Sequence, residues 1–219
     1  MRLGIDVLLN DEKLLNELRS KKVALLAHPA SVTHTLEHSV DALQKKKVNL
    51  VCAFGPQHGM RGEKQDNMIE SDDYIDPLAK IPVFSLYGTV RRPTPEMMSH
   101  FDVMLIDLQD VGCRIYTYLT TLFYILEEAQ RFGKEVIVLD RPNPAGRPVE
   151  GTLLKKGWES FVGMGPVPMR HGLTLGEIGQ WMVDHYKMKV SYRVVKMQGY
   201  SMIEAPGFGW PVNELSWVN

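Results

Sequence analysis

Val48-Asn49-Leu50-Val51-Cys52-Ala53-Phe54-Gly55-Pro56-Gln57-His58-Gly59-Met60-Arg61-Gly62-Glu63 is the stretch on which the fold turns. Its first part is an apolar, β-type run. It breaks at Gly55-Pro56 and then supplies an amide, an imidazole and a guanidinium in quick succession. A strand that ends by releasing polar groups suits an open α/β sheet, where ligands bind beyond the carboxyl ends of the strands. Val103-Met104-Leu105-Ile106 repeats the pattern into Asp107-Leu108-Gln109-Asp110-Val111-Gly112-Cys113-Arg114. Val136-Ile137-Val138-Leu139 does so into Asp140-Arg141-Pro142-Asn143-Pro144.

Working outward, strand-like runs occur at Lys22 to Ala27, Val48 to Phe54, Val83 to Leu86, Val103 to Ile106 and Val136 to Leu139, with a last one at Val190 to Met197. Helical patterns alternate with them. Asp11 to Leu18 has one apolar face, Ser39 to Lys47 is short, and Thr94-Pro95 opens a helix with a cap and an N-terminal proline. Tyr116 to Phe132 is the longest and should stop at Gly133. Thr174-x-x-Glu177 reads as a capping box for a helix running through Trp181 to Tyr186. Continuous Val/Ile/Leu runs alternating with helices predict an α/β fold, a Rossmann-like parallel sheet with flanking helices and right-handed crossovers. We expect residues 1–150 to form this domain and 151–198 to continue it as the start of a smaller lobe bearing a cleft-closing loop. Residues 199–219 read as an irregular linker towards a further domain.

The chain has 219 residues, 44% hydrophobic and 23% charged, with a net charge of -1. No basic face suggests nucleic acid, and no apolar stretch reaches membrane-spanning length. Cys52 and Cys113 are too few for a disulfide framework or a zinc ribbon. No Gly-x-Gly-x-x-Gly follows the first strand, so no nicotinamide cofactor is expected, nor any other. With no secretory h-region the sequence reads as cytoplasmic as written, and as secreted or periplasmic if a signal has been removed.

Several motifs admit two readings. Gln57-His58-Gly59-x-Arg61 is either a tight turn, with Gly59 and Gly62 at positive φ, or a functional loop. Either Asp107 or Asp110 could pair with Arg114 or Arg141, an arrangement that serves ion pairing as well as acid/base work. The rigid Arg141-Pro142-Asn143-Pro144 loop suits recognition of a carboxylate or an amide. Arg170 and His171 either stabilise their turn or close the cleft. His34-Thr35-Leu36-Glu37-His38 fits the His-x-x-Glu-His pattern, which on a helix pairs two zinc ligands with a general base.

Taken together, Gly4-Ile5-Asp6-Val7-Leu8, Gly55-Pro56-Gln57-His58-Gly59-Met60-Arg61-Gly62, Ser85-Leu86-Tyr87-Gly88, Arg92-Pro93-Thr94-Pro95-Glu96-Met97, Asp107 to Tyr118, Leu139 to Pro144, Phe161-Val162-Gly163 and Arg170 to Glu177 resemble the DUF1343 family, associated with exo-β-N-acetylmuramidases of peptidoglycan turnover. The resemblance implies a Rossmann-like domain followed by a second one, and release of N-acetylmuramic acid from peptidoglycan fragments. It also implies a catalytic Glu in a Pro-Glu-His-Gly motif, where this chain has Gln57. An amide cannot donate a proton as a carboxylic acid does.

The catalytic candidates are therefore Gln57, orienting the sugar's N-acetyl group, and Glu63, Glu70, Asp107 or Asp110 as the acid. His58, Arg61, Tyr87, Gln109, Arg114, Tyr116, Arg141, Asn143, Arg170 and His171 are the substrate-binding candidates, with a muramyl sugar or peptidoglycan fragment as partner. A non-catalytic sugar-binding module is the alternative, and a zinc hydrolase using His34 and His38 a third. Neither nucleic acid nor membrane is expected as a partner.

Overall fold

The structure, a computed structural model, describes residues 1–57, 59–62 and 72–201. The candidates His58, Glu63 and Glu70 lie outside these, as does the 199–219 linker beyond Ser201. In chain order the elements are α1 (Gly4–Leu8), α2 (Glu12–Arg19), β1 (Val23–Ala27), α3 (Ser39–Lys45), β2 (Leu50–Gly55), β3 (Tyr74–Ile75), β4 (Pro82–Ser85), α4 (Pro95–Ser99), β5 (Val103–Asp107), α5 (Thr117–Phe132), β6 (Glu135–Leu139), β7 (Glu150–Leu153), β8 (Pro168–Arg170), α6 (Leu175–His185) and β9 (Ser191–Val195).

Seven strands form one sheet in the order β3-β4-β2-β1-β5-β6-β9, parallel throughout except for β3 at the edge. The six parallel strands, numbered along the chain, stand in the doubly wound order 3-2-1-4-5-6. The reason is visible in burial: all five residues of both β1 and β5 are buried. Because successive side chains point to opposite faces, Ala24, Leu26, Met104, Ile106, Val136 and Val138 meet α4, α5 and α6 on one side. Val23, Leu25, Val103, Leu105, Ile137 and Leu139 meet α1, α2 and α3 on the other.

Every expected strand and helix is present. Thr174 and Glu177 form the foreseen capping box, and α5 stops at Gly133 in the left-handed region. The helix capped by Thr174 runs from Leu175 to His185. From Glu150 onward the chain supplies the antiparallel β7–β8 pair and then β9, the last strand of the main sheet. Cys52 is buried, and its thiol is pushed up to about 12 by burial; Cys113 is half-buried. Among the described residues no helix is long and apolar enough to cross a membrane.

The zinc reading needs correction. Residues 34–37 form a turn with Leu36 at φ 64°, so His34 and His38 do not share a helix face. His34 Nδ1 pairs with Asp6 Oδ1 at 2.8 Å. His38 caps α3 and points Nε2 at the carbonyls of His28 and Met60, each at 3.1 Å. Among the described residues no cluster of three His, Cys, Asp or Glu could hold a metal ion.

Candidate active site

In this strand order the chain reverses direction between β1 and β5, which opens a crevice at their carboxyl ends. Four strands deliver polar groups there: β1 leads to His28, β2 to Gln57, β5 to Asp107, Gln109 and Asp110, and β6 to Asp140, Arg141 and Asn143.

Asp107 and Arg141 form the floor. Arg141 Nε lies 2.6 Å from Asp107 Oδ1 and Nη2 lies 3.0 Å from Oδ2, with neither side chain exposed. Ser39 Oγ also donates to Asp107 Oδ2, Ser31 Oγ donates to the Asp107 carbonyl, and Arg141 Nη2 reaches the Val32 carbonyl at 2.7 Å. This pair ties the loop after β1 to the ends of β5 and β6.

Asp110 is held differently. Its Oδ2 accepts from the Gly112 N–H at 2.7 Å and from His171 Nε2 at 3.1 Å. Since His171 Nδ1 accepts from the Leu173 N–H at 3.3 Å, the ring proton sits on Nε2. Asp110 Oδ1 has no hydrogen-bond partner among the described residues. Thus His171, from the segment after β8, does meet the β5 cluster.

Gln109 lies between these groups. Its backbone N–H donates to His28 Nε2 at 2.9 Å, and its side-chain amide donates to the carbonyls of Asp110 and Pro142 at 2.7 and 2.9 Å. His28, wholly buried, therefore carries its proton on Nδ1, which faces Tyr118 Oη at 3.0 Å. Tyr116 packs against Tyr118 with centroids 4.6 Å apart, and burial pushes its hydroxyl up to about 12. Gln57, half-buried after β2, accepts from Thr117 Oγ1 at 3.3 Å.

The remaining candidates are occupied. Arg61 chelates Asp41 at 2.7 and 2.9 Å and reaches Asp76 at 2.7 Å; Gly59 and Gly62 take positive φ as foreseen. Arg114 Nη1 donates to the carbonyls of Thr152 and Val167, both at 2.7 Å, fastening the β7–β8 segment. Asn143 makes a local turn with Ala145 N–H and donates to the Leu173 carbonyl. Arg170 pairs with Glu150 at 2.7 Å and donates to the Ala145 carbonyl. Tyr87 lies one strand away, after β4, under the Arg91 guanidinium.

His28, Ser31, Ser39, Thr117 and Tyr118 were missed from sequence. His28 had a signal: it follows the β1 run directly, the strand-then-polar pattern used to pick the other three ends. Asp140 also escaped the candidate set. It caps α6 by accepting from Gly176 N–H at 2.9 Å and Thr174 Oγ1 at 2.8 Å, and burial raises its carboxyl to about 6. A cavity of about 660 Å³ opens beside it, lined also by Glu177, Tyr192, Lys196 and Tyr200. The Asp110 oxygen without a partner among the described residues lies after β5, outside the lining of this cavity.

Fold and rim together define a doubly wound α/β domain with a carboxylate, imidazole and amide cluster at its switch point. The chain belongs to the family described as exo-beta-N-acetylmuramidase NamZ, N-terminal, whose model matches residues 23–219. It is 42% identical over 197 residues to the peptidoglycan beta-N-acetylmuramidase NamZ of Bacillus subtilis, covering 89% of this chain and 47% of that protein. Two crystal structures of DUF1343 family proteins from Bacteroides fragilis superpose on it. One has a TM-score of 0.82 at 38% identity, covering 92% of this chain and 51% of the other. The second has a TM-score of 0.79 at 27% identity, covering 92% and 53%. The chain thus spans about half the length of the relatives it matches.

Proposed function

We propose that this chain is the sugar-recognising half of a glycoside hydrolase that removes N-acetylmuramic acid from peptidoglycan fragments. The family and the B. subtilis relative support the reaction class. The observation that carries the assignment within the site is Asp110, a buried carboxylate with one oxygen fixed by His171 and Gly112 and the other without a partner among the described residues. A glycosidase needs a carboxylic acid to protonate the leaving oxygen while positive charge develops on the sugar. Asp110 supplies that acid. Asp107, gripped by Arg141, positions the loops instead of meeting substrate. Gln57 has its carbonyl engaged by Thr117, so its NH₂ group orients the sugar's N-acetyl group. Residues 1–150 carry these groups, and 151–198 bring His171 against them.

Release of the chromophore from a nitrophenyl β-N-acetylmuramide by the full-length protein tests this. Turnover is expected, and a folded protein that turns over neither muramyl nor glucosaminyl conjugates overturns it. A second reading, a non-catalytic muropeptide-binding module, is favoured by the amide of Gln57 at the position of the family's acid. Gln57→Glu separates the two: activity that appears only in the variant makes the natural protein a binder.

A further inference from the structure

Arginine is the natural ligand for an acidic substrate, yet the arginines first considered for that task are each tied to protein groups, although Arg141 Nη1 and Arg170 Nε have no partner among the described residues. Arg61, Arg114, Arg141 and Arg170 each hold protein carboxylates or carbonyls. Arg91 does not. Among the described residues no carboxylate or carbonyl lies within hydrogen-bonding distance of its guanidinium. Its contacts are aromatic: the guanidinium carbon lies 4.3 Å from the Tyr87 ring centroid and 4.6 Å from that of Phe161. The two centroids are 6.1 Å apart, so the group is seated in the notch between the rings. The adjacent Arg92 is the contrast, lying over Tyr124 and paired with both Glu127 and Glu128.

Position links Arg91 to the site. Leu86, at the start of its loop, donates its N–H to the Gly55 carbonyl at 2.8 Å, so this loop leaves the sheet beside the turn bearing Gln57. Phe161 also lies 6.3 Å from Tyr124, two turns along α5 from the Thr117 that touches Gln57. Two turns of helix span about 10 Å. Aromatic faces hold a guanidinium by its own face and leave the N–H edge free for a bidentate acceptor. They also fix the side chain in advance, which lowers the entropy lost on binding.

We propose that Arg91, held by Tyr87 and Phe161, is the residue that binds the ligand's carboxylate. On the reading above, that group is the lactyl carboxylate of the muramyl sugar or a carboxylate of its attached peptide. Titration calorimetry of the protein with N-acetylmuramic acid, its carboxamide and the dipeptide L-alanyl-D-glutamate tests this in native, Arg91→Met and Arg91→Lys forms. The methionine keeps an apolar stem on the rings. Among the described residues Arg91 has no ion pair to lose, so an unchanged unfolding midpoint confirms an intact fold. The native protein should prefer the sugar acid over its carboxamide by at least about tenfold, the usual worth of a charge-assisted hydrogen bond. Arg91→Met should abolish that preference and Arg91→Lys should weaken it. If Arg91→Met keeps the preference, or the native protein has none, Arg91 is not the lactyl reader. Arg91-dependent binding of the dipeptide alone would keep Arg91 as a carboxylate site and overturn the muramyl reading. Binding of neither acid to the native protein overturns both.

Discussion

Arg141 and Asp107 join the ends of two neighbouring parallel strands through a two-point ion pair, 2.6 and 3.0 Å, from which water is excluded. Removing one partner of such a pair leaves a buried charge uncompensated and costs about 3–5 kcal/mol. Asp107→Asn should therefore lower the unfolding free energy by that amount in denaturant titrations. The double variant Asp107→Leu with Arg141→Met should be less damaging than Asp107→Asn alone. Equal damage in both would mean that the pair is not the source of the loss.

Asp110→Asn should separate chemistry from stability. The amide oxygen can still accept from Gly112 and His171, and its NH₂ replaces an oxygen that has no partner among the described residues. Unfolding should move by no more than about 1 kcal/mol. Muramide hydrolysis should fall by about 10²–10⁴-fold, the usual contribution of a general acid. Retained activity would remove Asp110 from the acid's role.

The Arg61 clamp makes the protein acid-sensitive. Hydrogen bonds from Arg61 hold Asp41 below the usual carboxylate range. Burial pushes Asp76 up, but Arg61 and the N–H groups of Ala79 and Leu78 bring it below that range as well. Both carboxylates thus have folded values below the unfolded ones. Their stabilisation is complete above about pH 4 and is lost as pH falls through the folded values. Arg61→Met should cost about 2–3 kcal/mol at neutral pH, discounted because Asp41 is partly exposed. It should also flatten the decline of stability below about pH 4, read by denaturation at stepped pH.

Asp140 acts in the opposite sense. Burial raises its carboxyl to about 6, above the unfolded value of 3.8. Its favourable contribution is therefore present below about pH 4 and disappears as pH rises through about 6. The native protein should lose on the order of 3 kcal/mol from this group between those limits. Asp140→Asn should remove that slope; an unchanged slope between pH 4 and 7 would reject the assignment.

Much of this was legible in the chain itself. The strands at β1, β2, β5 and β6 announced themselves because a parallel sheet covered on both faces requires unbroken apolar runs. Gly133 and the Thr174/Glu177 pair marked helix ends because capping is local. Within the site, residue types were legible but duties were not. Arg61, Arg114 and Arg141 looked alike as cations at strand ends, yet each is committed to a different partner. Asp41 lies 20 residues before Arg61 in the chain, and Asp107 lies 34 before Arg141.

By itself the sequence determined the α/β class, the positions of the six parallel strands and of α2 to α6, and the strand ends that would carry polar groups; α1, β3, β7 and β8 were not legible in it. The legible features follow from periodicity and capping, which act over a few residues. Only the tertiary structure decided the 3-2-1-4-5-6 order, the burial of Asp107 against Arg141, the meeting of His171 with Asp110, and the seating of Arg91 between Tyr87 and Phe161. The reason is physical: the worth of a charge depends on which distant groups share its low-dielectric surroundings, and chain folding alone brings those groups together.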